Sequence, residues 1–229
     1  MTTKAIIMGG GESLYQENVI DVIVKAKKEN PELLNDTIIM STDRTLKYVL
    51  EKGIIPEYTC IQENLYPATR YHTVPQTDYL VDFFKHDIVK QFAPQITLYY
   101  AQALRWYRTS ILKAMGFKMK RFNRMGLGGN VKPLIYTCGH CSQALVSICR
   151  EVLKIDKIAT IGMDMDFSRS WKIYETDVHS AQKNMLTATL KQNHTDFIKT
   201  GKPIYNLTRM GKFHYTGVVE TNIEDFLKN

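Results

Sequence analysis

Lys4-Ala5-Ile6-Ile7-Met8-Gly9-Gly10-Gly11-Glu12-Ser13-Leu14 is the stretch on which the fold turns. A short apolar run that meets three glycines predicts a buried strand ending in a tight turn. Residues 18–28 follow with Val19, Val22, Ile23 and Ala26 at the spacing of one helical face. Asp36-Thr37-Ile38-Ile39-Met40-Ser41 predicts a second strand. Asp43 then reads as the N-cap of a helix through Lys52, with Leu46, Val49 and Leu50 inward and Gly53 as its stop. Pro56-Glu57-Tyr58-Thr59-Cys60-Ile61 predicts a third strand. Strand, helix, strand, helix, strand within about 60 residues is the arrangement of a parallel sheet with covering helices.

Working outward, 95–100 reads as a strand, 105–115 as a helix, and 142–153 as a helix with Leu145, Ile148, Cys149 and Val152 on one face. Residues 158–162 predict a buried strand, and 179–199 a long helix closed by Gly201 and Pro203. Residues 204–207 give a late strand, and Thr221-Asn222-Ile223-Glu224 is a capping-box start for a short last helix. Residues 64–132 are less regular, and neither repeats nor a low-complexity linker divide the chain, so it reads as one domain over 1–229 with 64–132 as a basic insertion. A chain of 229 residues buries roughly 70% of its unfolded surface. With 44% hydrophobic and 23% charged residues, disorder, collagen-like repeats and coiled coil are excluded. The longest uncharged run, Pro133 to Cys149, is shorter and more polar than the about 20 apolar residues of a membrane span. The start at Met1-Thr2-Thr3-Lys4 carries no signal-peptide pattern, and the expected location is the cytoplasm.

The net charge of +7 is unevenly spread. Between Asp87 and Glu151 there is no acidic residue but there are ten positive ones: Lys90, Arg105, Arg108, Lys113, Lys118, Lys120, Arg121, Arg124, Lys132 and Arg150. The rest holds 20 positive against 23 negative residues. A field of one sign concentrates anionic ligands, whether nucleotide phosphates, acidic sugars, RNA or an anionic membrane face. Trp106, Tyr107, Phe117 and Phe122 interleave with the charges and keep nucleic acid among the partners, because bases stack on aromatic rings.

Three motifs bear on chemistry. Gly9-Gly10-Gly11 follows the first strand, where a backbone without side chains can approach a ligand and the next helix offers its N–H groups to an anion. It is neither a G-x-G-x-x-G fingerprint nor a P-loop. Asp164 and Asp166 are two apart at the end of a strand, so both carboxylates can face one site and suit Mg²⁺ or Mn²⁺. Cys138-Gly139-His140-Cys141 has the tetrapeptide of protein disulfide isomerases. It lies past the middle of the chain and follows Thr137 rather than an aromatic residue, and neither redox nor zinc chemistry is expected of it. His179, shortly after the Asp pair, is the histidine to watch as a general base.

In order along the chain, Ala5 to Leu14, Leu50 to Tyr58 (with Gly53-Ile54-Ile55-Pro56-Glu57), Cys138 to Phe167, and Tyr205-Asn206-Leu207-Thr208 with Gly211 resemble the Rossmann-like family of archaeal 6-hydroxymethylpterin diphosphokinase and the motility accessory factor glycosyltransferases. Glu12 stands where that family's glycine loop has Pro, Glu57 where it has Asp, and Gly139-His140 resembles its Gly-Asn pair. The resemblance implies an α/β, Rossmann-like three-layer fold with a mostly parallel sheet. It also implies a nucleotide-dependent transferase. The nucleotide would lie on Gly9, Gly10, Gly11, Glu12, Ser13, Leu14, Asp43, Gly139 and His140. The residue pattern itself, beside the resemblance, assigns catalysis to Asp164, Asp166 and His179, a metal to Asp164, Asp166 and Glu63, and the charge of an anionic substrate to Arg105, Arg108, Arg121 and Arg124 in the basic middle, which does not match the family in detail. The diphosphokinase branch resembles a carrier of an Asp-Leu-Asp-Gly run after the third strand. Here Ile61-Gln62-Glu63-Asn64 keeps one carboxylate, which favours glycosyl transfer from a nucleotide-activated sugar over diphosphate transfer from ATP to a pterin-like alcohol. A non-enzymatic protein that binds nucleic acid or a membrane surface is the reading of a different class.

Overall fold

The computed structural model describes residues 3–16, 18–62, 84–101, 106–124, 132–138, 140–164, 178–208 and 216–228, with 16, 106–108 and 178–185 described as backbone only. The strands are β1 (Lys4–Met8), β2 (Thr37–Thr42), β3 (Tyr58–Ile61), β4 (Thr97–Ala101), β5 (Lys118–Arg124), β6 (Leu134–Ile135), β7 (Lys157–Ile161), β8 (Ile204–Asn206) and β9 (Val218–Glu220). The helices are α1 (Ser13–Gln16), α2 (Val19–Glu29), α3 (Asp43–Glu51), α4 (Asp87–Phe92), α5 (Trp106–Ala114), α6 (Cys141–Ile148), α7 (Val178–Thr200) and α8 (Ile223–Lys228). A π turn (Cys149–Leu153) continues α6.

The strands form one sheet in the order β6-β5-β4-β3-β2-β1-β7-β8-β9, and every pairing among the described residues is parallel. Parallel sheets are covered on both faces and read as continuous apolar runs, which is why β1 and β2 are buried along their whole length. Alternation along each strand sorts the core into two layers. Ala5, Ile7, Ile38, Met40 and Ile158 face α6 and the inner side of α7, where Leu186 and Leu190 pack. Ile6, Met8, Ile39, Ala159 and Ile161 face the opposite way, onto α2 and α8. Leu46, Leu98, Leu112 and Phe117 build the core beneath α3 and α5. Each buried Ile or Leu contributes roughly 1.5–3 kcal/mol. The expected three-layer α/β fold is present, and β4 and β5, from the basic middle of the chain, extend the same sheet. Among the described residues no helix is long and apolar enough to cross a membrane.

Strand order reverses at β1. On one side of it the chain builds outward through β2, β3, β4, β5 and β6, and on the other through β7, β8 and β9. Lys4–Met8 pairs with Thr37–Ser41 on one edge and with Lys157–Ile161 on the other, so β1 and β7 end level with each other. Connections diverge from that point, and in open α/β sheets the crevice there is where ligands bind.

Two helix starts differ from expectation by one residue. Thr42, in extended conformation, is the N-cap of α3, and Asp43 is its first residue. At α8, Asn222 rather than Thr221 closes the box: its Oδ1 accepts the Asp225 N–H at 2.7 Å and its Nδ2 donates to Asp225 Oδ2 at 2.7 Å. Asn222→Ala is therefore expected to cost about 1 kcal/mol, read as a lower urea midpoint, and Thr221→Ala no more than about 0.5 kcal/mol. The reverse ranking would return the cap to Thr221.

Candidate functional site

The glycine bend is seated directly on the end of β7. Gly9 N donates to Ile161 O and Gly11 N to Gly162 O, each at 2.7 Å. A Cβ on Gly9 would lie 2.5 Å from Gly162 O and 2.7 Å from Ser142 Oγ, and one on Gly11 would lie 2.6 Å from Asp164 Oδ2. Gly162 itself has φ +69° and approaches Gly9 O too closely for any side chain. Gly10 differs from its neighbours. Among the described residues the nearest atom that a Cβ on Gly10 would meet is Thr45 Cγ2 at 4.0 Å, so those residues leave it open at the crest of the sheet.

Asp164 locks this contact. Its Oδ2 accepts the Ser13 N–H at 2.8 Å, its Oδ1 accepts the Ser13 hydroxyl, and Ser13 Oγ in turn accepts the Gly162 N–H at 3.1 Å. Both residues are buried. Ser13 and Leu14, expected against a donor phosphate, instead turn inward: Ser13 is committed to Asp164 and Leu14 is wholly in the core. The bend and Asp164 thus belong to one crest, with Asp164 holding α1 in place. Among the described residues no three His, Cys, Asp or Glu side chains converge as a metal-holding group. Of the residues expected on Mg²⁺ or Mn²⁺, Asp166 and Glu63 lie outside the described residues, and both oxygens of Asp164 accept Ser13 donors. Asp164 thus already serves to hold α1.

The rest of the crest comes from α3 and α6. Asp43 is buried, and burial pushes its carboxyl pKa up against the opposing pull of Arg44 and the Arg44 N–H, which donates to Oδ1 at 2.9 Å. The Cys141 thiol also hydrogen-bonds Asp43. Cys141 opens α6, yet its pKa is raised well above the usual thiol value, first by its hydrogen bond with Cys60 and then by burial and the Asp43 charge. Burial likewise raises Cys138. The thiolate that a helix N-terminus would favour is absent here, because desolvation and a neighbouring carboxylate outweigh the helix field.

His140 is the N-cap of α6. Its Nδ1 accepts the Gln143 N–H at 3.3 Å, its Nε2 is 2.7 Å from Thr189 Oγ1, and its carbonyl accepts Gln62 Nε2 at 2.8 Å. Accepting at Nδ1 fixes the proton on Nε2, which donates to Thr189. Protonating Nδ1 would forfeit the cap in an enclosed site, and burial lowers the pKa to about 4. His140 is therefore a neutral structural cap rather than a cationic phosphate ligand. Beyond it the seam between α6 and α7 stays polar, with Gln143 Nε2 donating to Asn193 Oδ1 at 3.2 Å. Thr189 and Asn193, one helical turn apart, and Gln62, directly after β3, were not anticipated. Their signal was a polar i, i+4 stripe inside an otherwise apolar helix face.

Of the cationic residues, Arg121 is exposed on β5, and strand alternation sends Arg124 to the face of Phe122, toward α6 and α7. Arg105, Gly139 and the side chains of Arg108 and His179 lie outside the described residues.

The pKa of His140 sets a pH dependence. An unfolded histidine protonates near pH 6.5, whereas the folded one resists until about pH 4, so between these values the unfolded chain binds more protons and stability falls with falling pH. Urea unfolding from pH 7.5 to 4.5 is expected to lose on the order of 2–3 kcal/mol more in the wild type than in His140→Asn, which keeps a cap oxygen but does not titrate. Parallel curves for the two proteins would contradict this placement of the proton.

Comparison with known proteins supports the architecture. Neither a protein-family model nor a curated protein matches the sequence. Among solved structures, a MAf glycosyltransferase from Magnetospirillum magneticum AMB-1 superposes with a TM-score of 0.63 at 13% identity, over 96% of this chain and 34% of that one. The chain thus spans about a third of the length of that protein. The likeness is one of fold.

Proposed function

We propose that the chain transfers a glycosyl group from a nucleotide-activated sugar. The observation that carries this reading is the open flank of Gly10 at the point where strand order reverses, between the starts of α3 and α6. The backbone there can approach a phosphate, and the aligned N–H groups of two helix starts favour the negative charge that grows on a departing phosphate. Asp43, at the start of α3, would face the ribose or base. The fold shared with a glycosyltransferase supports the same class of reaction.

In such a transfer the bond from the anomeric carbon to the donor phosphate breaks, and a bond to an acceptor oxygen forms. The acceptor's proton passes to a base, for which Asp166 and His179 are the proposed groups; Asp164 is a rigid anchor of the crest. The work is mostly positioning and charge stabilisation. Ser13 and His140, tied into the scaffold, keep the crest in shape before a ligand arrives.

Calorimetric titration with CMP, UDP, ADP and ATP, with and without Mg²⁺, tests the reading. Saturable binding of one nucleotide is expected, and Gly10→Val should abolish it with little change in unfolding midpoint. Gly9→Ala should instead lower stability by about 1–3 kcal/mol through overpacking. No binding of any nucleotide under either condition would overturn the proposal.

A further inference from the structure

A second concavity lies on the other side of the first turn of α6. It has a volume of about 400 Å³ and is lined by Arg124 at the end of β5, by Tyr136 and Thr137 in the connection to α6, and by Lys191, Gln192 and Thr195 of α7. The size falls in the range of small-ligand pockets. Two cations, Arg124 and Lys191, line it, and among the described residues its lining has no carboxylate. Asp196, next to Thr195 on α7, is held by Arg150 at 3.0 Å and by Gln192 Nε2 at 2.9 Å, so its charge is compensated. Lys120, on the same side of β5 as Arg124 by alternation, adds to the positive field.

The uncharged part of the lining is as informative. Tyr136 presents a ring that is 40% exposed, on a backbone pinned by the Ser147 hydroxyl bonding its carbonyl at 2.9 Å. Thr137 and Thr195 supply hydroxyls, and Gln192, whose amide nitrogen is engaged, offers its carbonyl oxygen. An aromatic face, hydroxyls and an amide between two cations match a ligand with one apolar ring face, several hydroxyls and a single negative charge. Cys138 forms the lip at φ +45°, a left-handed conformation unusual for a residue with a side chain, and its thiol bonds Thr189. Such outliers cluster at ligand sites. Thr189 also bonds His140, and Ser142 lies against Gly9, so one helical turn separates this pocket from the crest.

We propose that this pocket binds an acidic sugar, a single pyranose-sized ring bearing a carboxylate or phosphate. Its role as the acceptor rests on the glycosyl-transfer reading, but the binding does not. A single-stranded nucleic acid needs a groove with successive stacking platforms, whereas here one aromatic side chain beside one small concavity suits one unit.

The test is titration of the full chain with glucuronate, glucose 6-phosphate, glucose, inorganic phosphate and a short single-stranded RNA. Saturable binding is expected for glucuronate or glucose 6-phosphate, and whichever binds identifies the charged group. Glucose should not bind. Lys191→Ala, on an exposed helix position, and Arg124→Gln should each weaken the acidic sugar about tenfold or more, as for loss of a charged hydrogen bond. Lys191→Ala should leave nucleotide binding unchanged. The proposal is overturned if neither acidic sugar saturates the protein, if both variants bind as the wild type does, if inorganic phosphate binds as tightly, or if RNA binds more tightly. Acidic-sugar binding without any nucleotide binding would keep the pocket and remove the transfer reaction.

Discussion

The close approach of the glycine bend to the end of β7 is the contact on which the rest of the molecule depends. Three main-chain surfaces, at Gly9, Gly11 and Gly162, meet at distances that no Cβ tolerates. A buried carboxylate and hydroxyl, Asp164 and Ser13, then bind the two chain segments together across 151 positions of sequence. Removing either partner would strand the other in a site without water, a penalty of about 1–3 kcal/mol or more for a charged group. Because β1 is the strand from which the order runs both ways, this one clamp aligns both halves of the sheet and fixes the height at which α1, α3 and α6 begin.

That clamp also explains the division of labour at the crest. A glycine triplet suggests three equivalent positions, yet two are consumed by packing, and among the described residues Gly10 alone is left open. Desolvation works against charge on the titratable groups around it. His140 stays neutral as a cap, Cys141 stays a thiol beside Cys60 and Asp43, and Asp43 itself is pushed toward its protonated form. The positive charge needed by an anionic ligand is instead carried at the side, by Arg124 and Lys191 around a separate pocket.

Much of the fold was legible because its decisive elements are long or buried on both faces. Ile6-Ile7-Met8 and Ile38-Ile39-Met40 admit little but buried strands, and the helix from 141 announced itself through Leu145 and Ile148. β6 and β9 were not legible: two- and three-residue edge strands carry no periodicity, and their position depends on a neighbour far away in sequence. The site was half legible. The bend and Asp164 were each legible as candidates and lie in contact, but the residue that joins them, Ser13, is spent on structure, which no local pattern encodes. The partners of His140 were hidden for the same reason, since Gln62 and Thr189 come from β3's end and the middle of α7. The Arg124–Lys191 pocket required knowing that α7 comes beside the end of β5, which is far from it in sequence.

A crystal structure with a bound nucleotide-sugar would test the account most directly. The phosphates should lie over Gly10, within hydrogen-bond reach of main-chain N–H groups at the starts of α3 and α6, with the sugar directed toward the first turn of α6. Phosphate density at the opposite, N-terminal edge of the strands, or on the outer face of β5 away from the reversal point, would contradict it.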